Sequence, residues 1–311
     1  MDVVTEIDKA RRAQGSLEKR RGHLGASQLG SRCSRQIWYG FRWVYSTKHL
    51  GRIQRLFDRG HEEEARFNRY LRLAGYEVQD FSQRLWYYDG PEDCARYLLT
   101  DWEHKNQPYY EDVSSDARHI SLATEAGVGP KQWNFVDGHF SGSSDGRIRG
   151  EGLPDGWGLL ECKTHSEKSF TDLSKKGVLS SKPTHYIQMQ IYMRFMGLKW
   201  GLYLAVNKNN DELYAETIYY KQEVAEAYIV RAQQIIDAPQ APPRLTEDPS
   251  WFECKFCDFR EICHYSSPVQ KNCRSCAYAE PAYEYWYCNK HKGTLPTDFI
   301  PVGCDEWEAV E

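Results

Sequence analysis

The sequence predicts an α/β (α+β) fold, a mixed central sheet flanked by helices. Three observations predict it. Apolar residues recur at helical spacing in "IQRLFDRGHEEEARFNRYLRLAGYEV" and in "KPTHYIQMQIYMRFMGL". Residues 77–150 alternate in the manner of strands. "GLYLAVNKNNDELYAETIYY" reads as two strands around the turn "KNND".

The elements follow in chain order. Residues 1–22 are polar and basic, with Lys9, Arg11, Arg12, Lys19, Arg20 and Arg21, and suit a helix or a mobile arm. In "ASQLGSRCSRQIWYGFRW", Ser27 is a candidate helix cap and Cys33 falls inside the helix it would start. The long amphipathic helix that follows stops at Gly75. A polar loop near 101–130 interrupts the strands. The later helix has Pro183 near its start and Gly197 at its end. "KQEVAEAYIVRAQQIIDA" is a helix broken by "PQAPP", and the tail beyond holds a cysteine cluster. This divides the chain into a basic arm at 1–23, a main domain at 24–267 and a metal-binding tail at 268–311.

Composition narrows the function. At 41% hydrophobic and 27% charged, the chain of 311 residues can build a core. A net charge of −4 excludes a global attraction to nucleic acid, so any DNA surface has to be local. No apolar run approaches a membrane span, and "MDVVTEIDKARRAQGS" lacks the apolar region of a secretory signal. The expected address is the cytoplasm, where thiols stay reduced. Of ten cysteines, seven lie between Cys254 and Cys304, which reads as metal ligation rather than disulfides. Cys94 reads as a small buried hydrophobe.

"GSSDGRIRGEGLPDGWGLLECKTHSEKSF" contains two strand-like pieces around a Gly/Pro-rich turn. Side chains alternate along a strand, so Glu161 and Lys163 share a face and Cys162 turns away. If the two pieces pair, Asp145 reaches that same face. Two converging carboxylates repel unless a hard divalent cation, Mg2+ or Mn2+, sits between them, with the Cys162 carbonyl as a further ligand. A lysine beside such a cation orients a water or stabilises charge on a phosphate. On its own, Glu-x-Lys is a common triplet and is better explained by a salt bridge at a strand end.

The order of these pieces, with a Gln/Tyr helix after them, resembles the PD-(D/E)XK nuclease superfamily and within it the RecB-type branch. The resemblance implies a restriction-endonuclease-like core in which Asp145, Glu161 and Lys163 are catalytic. It implies that His61, in "RGHEEEARF", joins the metal site. Glu64 is a second candidate there, one turn on. Glu62 and Glu63 fit a solvated acidic face. In "HYIQMQIYMRFMG", Gln188 and Tyr192 match the family's Q-x-x-x-Y motif and would position the lysine and DNA. Gln190 is the alternative in a pattern similar to phage exonucleases.

"CKFCDFREIC" is C-x2-C-x5-C, at Cys254, Cys257 and Cys263, with Cys33 far upstream in "SRCSRQIWY". This resembles the iron–sulfur subgroup of the branch, which includes CRISPR-associated exonucleases and AddB-type subunits. The resemblance implies that these four thiolates hold a 4Fe–4S cluster, stapling the tail to an early helix. Cys273, Cys276, Cys288 and Cys304 form a second set of zinc-site type, with His291 competing with Cys304 as fourth ligand. A rival partition joins Cys254, Cys257, Cys273 and Cys276 as a zinc ribbon and strands the other four.

Lys163, Lys168, Lys175, Lys176 and Lys182 fall in a stretch read as a basic loop able to track a phosphate backbone. The whole is that of a metal-dependent DNA exonuclease whose partners are DNA and a recombination or single-strand-binding protein. The alternatives are a non-catalytic nucleic-acid-binding protein, or a subunit active only within a larger, CRISPR-adaptation-like complex.

Overall fold

A computed structural model describes residues 2–16, 20–46, 49–79, 138–283 and 285–310, together with the backbone of four strands between 80 and 137. Lys19, Cys94 and most of the loop read at 101–130 lie outside the described residues. The helices are α1 (Val3–Gly15), α2 (Ser34–Phe41), α3 (Gly51–Leu73), α4 (Glu167–Ser181), α5 (Pro183–Met196), α6 (Gln222–Asp237), α7 (Phe252–Lys255) and α8 (Arg260–Tyr265). The strands are β1 (Leu24–Gly25), β2 (Glu77–Gln79), β3 (Leu85–Tyr88), β4 (Tyr97–Thr100), β5 (Ile120–Thr124), β6 (Trp133–Phe135) and β7 (Phe140–Gly142). They continue with β8 (Gly146–Arg149), β9 (Gly158–His165), β10 (Trp200–Asn207), β11 (Leu213–Tyr219), β12 (Ala279–Ala282), β13 (Tyr285–Cys288) and β14 (Gly293–Thr294).

The chain forms two compact units, each drawn from separate segments. One comprises residues 1–57, 134–141 and 226–311; the other comprises 58–133 and 142–225. The second holds the mixed five-stranded sheet, in the order β11-β10-β9-β8-β2. β9 and β10 run parallel, and every other pair is antiparallel. A parallel pair needs a crossover, which α4 and α5 supply. Even-numbered residues of the two central strands, Leu160, Cys162, Leu202, Leu204 and Val206, pack with Phe67 and Leu71 of α3. Alternation therefore turns Glu161, Lys163 and His165 to the opposite face. β3, β4 and β5 make a separate three-stranded sheet.

In the first unit β1 pairs with β7 in parallel, Leu24 opposite Phe140. β12, β13 and β14 form the antiparallel sheet of the tail. Residues 268–311 belong to the same unit as the N-terminal segments.

Three local expectations are corrected. α2 begins at Ser34, and Cys33 is its N-cap rather than a residue within it; the thiol accepts the Gln36 amide at 3.4 Å. Ser27 lies instead in a short 3-10 turn, Ala26–Gln28. The stretch read as a basic loop is the helix α4, because Phe170, Leu173 and Val178 supply a buried stripe. It bends at Gly177, whose φ of 72° lies where a side chain is disfavoured. Finally, β5 falls within the span read as a loop at 101–130.

Candidate active site and thiol clusters

β8 pairs antiparallel with β9, Gly146 opposite Leu160, so one step further along Asp145 comes to Glu161. Asp145 Oδ2 accepts the backbone N–H of Cys162 at 2.7 Å. Glu161 is 0% exposed. Its Oε1 accepts from Lys163 Nζ and, at 2.9 Å, from Gln188 Nε2. Among the described residues no hydrogen-bond donor reaches its buried Oε2. Gln188 also hydrogen-bonds Tyr192. Gln190 faces elsewhere: its amide ties the carbonyl of Tyr219 to the N–H of Lys221, which makes it a structural residue.

The electrostatics of this group differ from its two ends. Burial pushes Glu161 up to about 7, with Lys163 opposing and Asp145 assisting. Burial also disfavours charge on Lys163, but Glu161 and Asp145 together outweigh it and hold the ammonium charged. Lys163 therefore stays charged. Its side chain keeps some exposure to water and faces two carboxylates. Glu161 is the group left short of positive charge, with one oxygen unpaired. That oxygen, beside Asp145, suits a hard cation.

α3 carries the remaining predicted residues of the site. Glu64 is half-buried, and its charge raises the Cys162 thiol, after burial, Asp145 and Glu161. His61 is exposed. Glu62 is exposed as expected, but Glu63 is not solvated: it is buried and paired with Arg66 Nε at 2.8 Å.

One group was not read from the sequence. His165 continues the alternation of β9, and Tyr203 lies opposite Glu161 on β10. The Tyr203 hydroxyl sits 2.9 Å from His165 Nε2 and 2.8 Å from His185 Nδ1, and His165 Nδ1 is 3.1 Å from Ser169 Oγ. Burial, then Lys182 and Lys163, lower His165 to about 4; burial, then Lys163, lowers His185 to about 3. Both rings are therefore neutral at neutral pH. A single phenolic proton then donates to one ring while the oxygen accepts from the other.

Three of the five lysines of the stretch read as a basic loop line one cavity of about 540 Å3. Lys168, Lys175 and Lys182 meet there with Ser166 and Ser169 at the start of α4. Lys176 instead pairs with Asp172 at 2.6 Å.

Eight of the described cysteines lie in the first unit and Cys162 in the second, and none of them is in a disulfide. Burial first, and then Cys33 and Cys263, raise the Cys254 thiol. Arg231 donates to the carbonyls of Leu29 and Arg32 and to Ser34 Oγ, while Arg244 donates to the Cys263 carbonyl. Cys273 is raised to about 11 by burial and then by Cys304, Cys276 and Cys288. His291 turns outward, its Nε2 3.3 Å from Glu306. Among the described residues, however, no three His, Cys, Asp or Glu side chains converge as ligands of one metal ion. The donors are neighbours without closing on a point.

No described helix is long and apolar enough to cross a membrane. No protein-family model matches the chain, and no curated protein matches it. Among solved structures it is similar to SSO0001, at 15% identity and a TM-score of 0.41, over 85% of this chain and 96% of that one. It is also similar to the alkaline exonuclease LHK-Exo from Laribacter hongkongensis, at 16% identity and a TM-score of 0.34, over 74% of this chain and 90% of that one. Likenesses at this level describe a general course of the chain and carry no chemistry to it.

Proposed function

We propose that the protein is a Mg2+- or Mn2+-dependent DNA nuclease of the PD-(D/E)XK, RecB-like kind, acting as an exonuclease at DNA ends in recombination, repair or phage DNA processing. One observation carries the reading. Glu161 is buried with one oxygen unpaired, beside Asp145 and in contact with a charged Lys163. A salt bridge at a strand end needs no second carboxylate and leaves no buried acceptor empty.

The donor set fits a hard cation held by Asp145, Glu161 and the Cys162 carbonyl, since Mg2+ takes few carboxylates and keeps several waters. Such a cation supplies Lewis acidity and an activated water. The residues of the chain do the rest. The Cys162 amide fixes the orientation of Asp145. Gln188 and Lys163 share Oε1 of Glu161, which leaves Oε2 for the cation. Lys163 stabilises negative charge on the reacting phosphate. Tyr192 steadies Gln188 from one helical turn away. Lys168, Lys175 and Lys182 take the backbone phosphates of the strand, with Lys176 secondary because Asp172 holds it. His61, with Glu64 as the second candidate, joins the metal ligands from α3, as the family resemblance implies.

The same reading assigns Cys33, Cys254, Cys257 and Cys263 to a 4Fe–4S cluster and Cys273, Cys276, Cys288 and Cys304 to zinc. Four reduced thiols in each neighbourhood are the donors such centres require. Its setting is the cytoplasm, with DNA and a recombination or single-strand-binding protein as partners. The test is hydrolysis of end-labelled single- and double-stranded DNA. Products should form with Mg2+ or Mn2+ and stop with chelator; intact DNA in the presence of both metals would overturn the proposal.

A further inference from the structure

Ser169, His165, Tyr203 and His185 of the second unit are strung on one proton chain. Ser169 Oγ lies 3.1 Å from His165 Nδ1, and His165 Nε2 lies 2.9 Å from the Tyr203 hydroxyl. That hydroxyl lies 2.8 Å from His185 Nδ1. Tyr203 is 0% exposed and His165 is buried beside it. Burial first, and then nearby lysines, keep both rings neutral, so each ring carries one proton. One proton per group leaves two complete arrangements. In the first, Ser169 donates to His165 Nδ1, His165 Nε2–H donates to Tyr203, and Tyr203 donates to His185 Nδ1. In the second every bond is reversed: His185 Nδ1–H donates to Tyr203, Tyr203 to His165 Nε2, and His165 Nδ1–H to Ser169. A mixture of the two sets donor against donor, or acceptor against acceptor, and loses a buried hydrogen bond. The Ser169 proton is spent inward in the first arrangement and is free to donate outward in the second.

Ser169 is half-buried and lines the cavity of about 540 Å3 together with Ser166, Lys168, Lys175 and Lys182. Asp172 lines it too, but Lys176 holds that carboxylate at 2.6 Å. Among the described residues none of the three lining lysines forms an ion pair, and Lys182 reaches only the Ser181 carbonyl, at 3.3 Å. Ser166 is the N-cap of α4, yet its side chain caps no amide of the first turn. Ammoniums, hydroxyls and an uncapped helix start suit an anion with several oxygens. Facing ammoniums alone, Ser169 serves best as an acceptor, which is the first arrangement. Facing an anion it has to donate, which is the second.

We propose that Ser169 binds a phosphate group in this cavity and that the His165–Tyr203–His185 relay positions its proton, reversing as a whole when the phosphate enters. The subsite itself does not depend on the nuclease reading; only the assignment of the phosphate to a DNA strand rests on it. Reversal changes both histidines from the Nε2–H to the Nδ1–H tautomer. His185 does so without lining the cavity, because the single phenolic proton of Tyr203 couples it to His165.

The experiment follows the ring nitrogens of isotope-labelled histidines by NMR in the full chain, with chelator present so that no DNA is cut. Inorganic phosphate is titrated in one arm and a short single-stranded DNA in the other. In the phosphate arm His165 and His185 should pass together from Nε2–H to Nδ1–H along one saturation curve. Ser169→Ala keeps all three lysines; it should weaken phosphate binding by about tenfold and abolish the tautomer change. Tyr203→Phe should leave His165 responsive and silence His185, which a merely structural tyrosine would not do. Phosphate binding that leaves both tautomers unchanged would overturn the proposal. So would phosphate binding in Ser169→Ala as tight as in wild type, or no response to either probe. A response to inorganic phosphate but not to DNA would support the subsite and overturn only its assignment to the DNA strand.

Discussion

Replacing Gln188 by Leu removes a buried donor from Glu161 while keeping a side chain of similar bulk and good helix propensity. The lost bond, Nε2 to Oε1 at 2.9 Å, favours the ionised carboxylate. Hydrogen bonds to charged groups contribute about 1.5–3 kcal/mol, which at about 1.4 kcal/mol per pH unit moves the carboxyl up by roughly one to two units. Burial already carries Glu161 to about 7. Near pH 7 the ionised share should then fall from about half to between about 1% and 10%, and the rate of DNA hydrolysis by about 5- to 50-fold. Activity should return as pH rises or as the metal concentration rises, because both favour the ionised form. Stability follows the same group. With a folded value above its ordinary 4.5, Glu161 contributes most below pH 4.5 and loses that contribution as pH rises through about 7. The assay is initial rate against pH for wild type and Gln188→Leu at two metal concentrations. A variant whose rate falls without any shift of the pH profile would refute the reasoning.

Three further outcomes are expected. Tyr203→Phe should lower stability by about 1–3 kcal/mol in urea unfolding, because it strips one nitrogen of His165 and one of His185 of their shared partner; an unchanged midpoint would mean that the relay contributes nothing. Gly142→Ala should cost about 1–3 kcal/mol in thermal unfolding, since a Cβ there would overlap the Tyr192 ring. If the proposed cluster is held by all four thiolates, Cys33→Ser should lose iron and visible absorbance as completely as Cys257→Ser; a brown Cys33→Ser protein would break the long-range staple.

What the sequence made legible was local. Glu161 and Lys163 share a face because alternation in a strand is a rule of two residues, and Gln188 and Tyr192 share one because a helix turns in about four. The hairpin of β10 and β11 was legible from the turn between two strand-like runs. The pairing of β8 with β9 was stated only as a condition, and the register meets it. The His165–Tyr203–His185 group was not legible, because it depends on the parallel register of β9 with β10 across a two-helix crossover. α4 was misread for a related reason: its lysines dominate the composition, while the buried Phe170 and Leu173 that make it a helix are few. The acidic run around Glu63 fits a solvated face by composition, and its pairing with Arg66 one turn on shows only in the structure. Cys33 was placed inside a helix that it caps, a shift of one residue at a boundary, where such readings are weakest.

The most direct test of the central claim is the rate of Mn2+-dependent hydrolysis of end-labelled DNA by wild type and by Lys163→Met, with DNA binding measured on the same samples. Among the described residues Lys163 is the one cation touching the buried carboxylate, and its loss leaves Glu161 to take up a proton. The account predicts that wild type cleaves and that chelator stops it. It predicts that Lys163→Met loses cleavage by about 100-fold or more while still binding DNA, since one charge-stabilising group contributes on that scale. Cleavage by Lys163→Met at the wild-type rate would contradict the account.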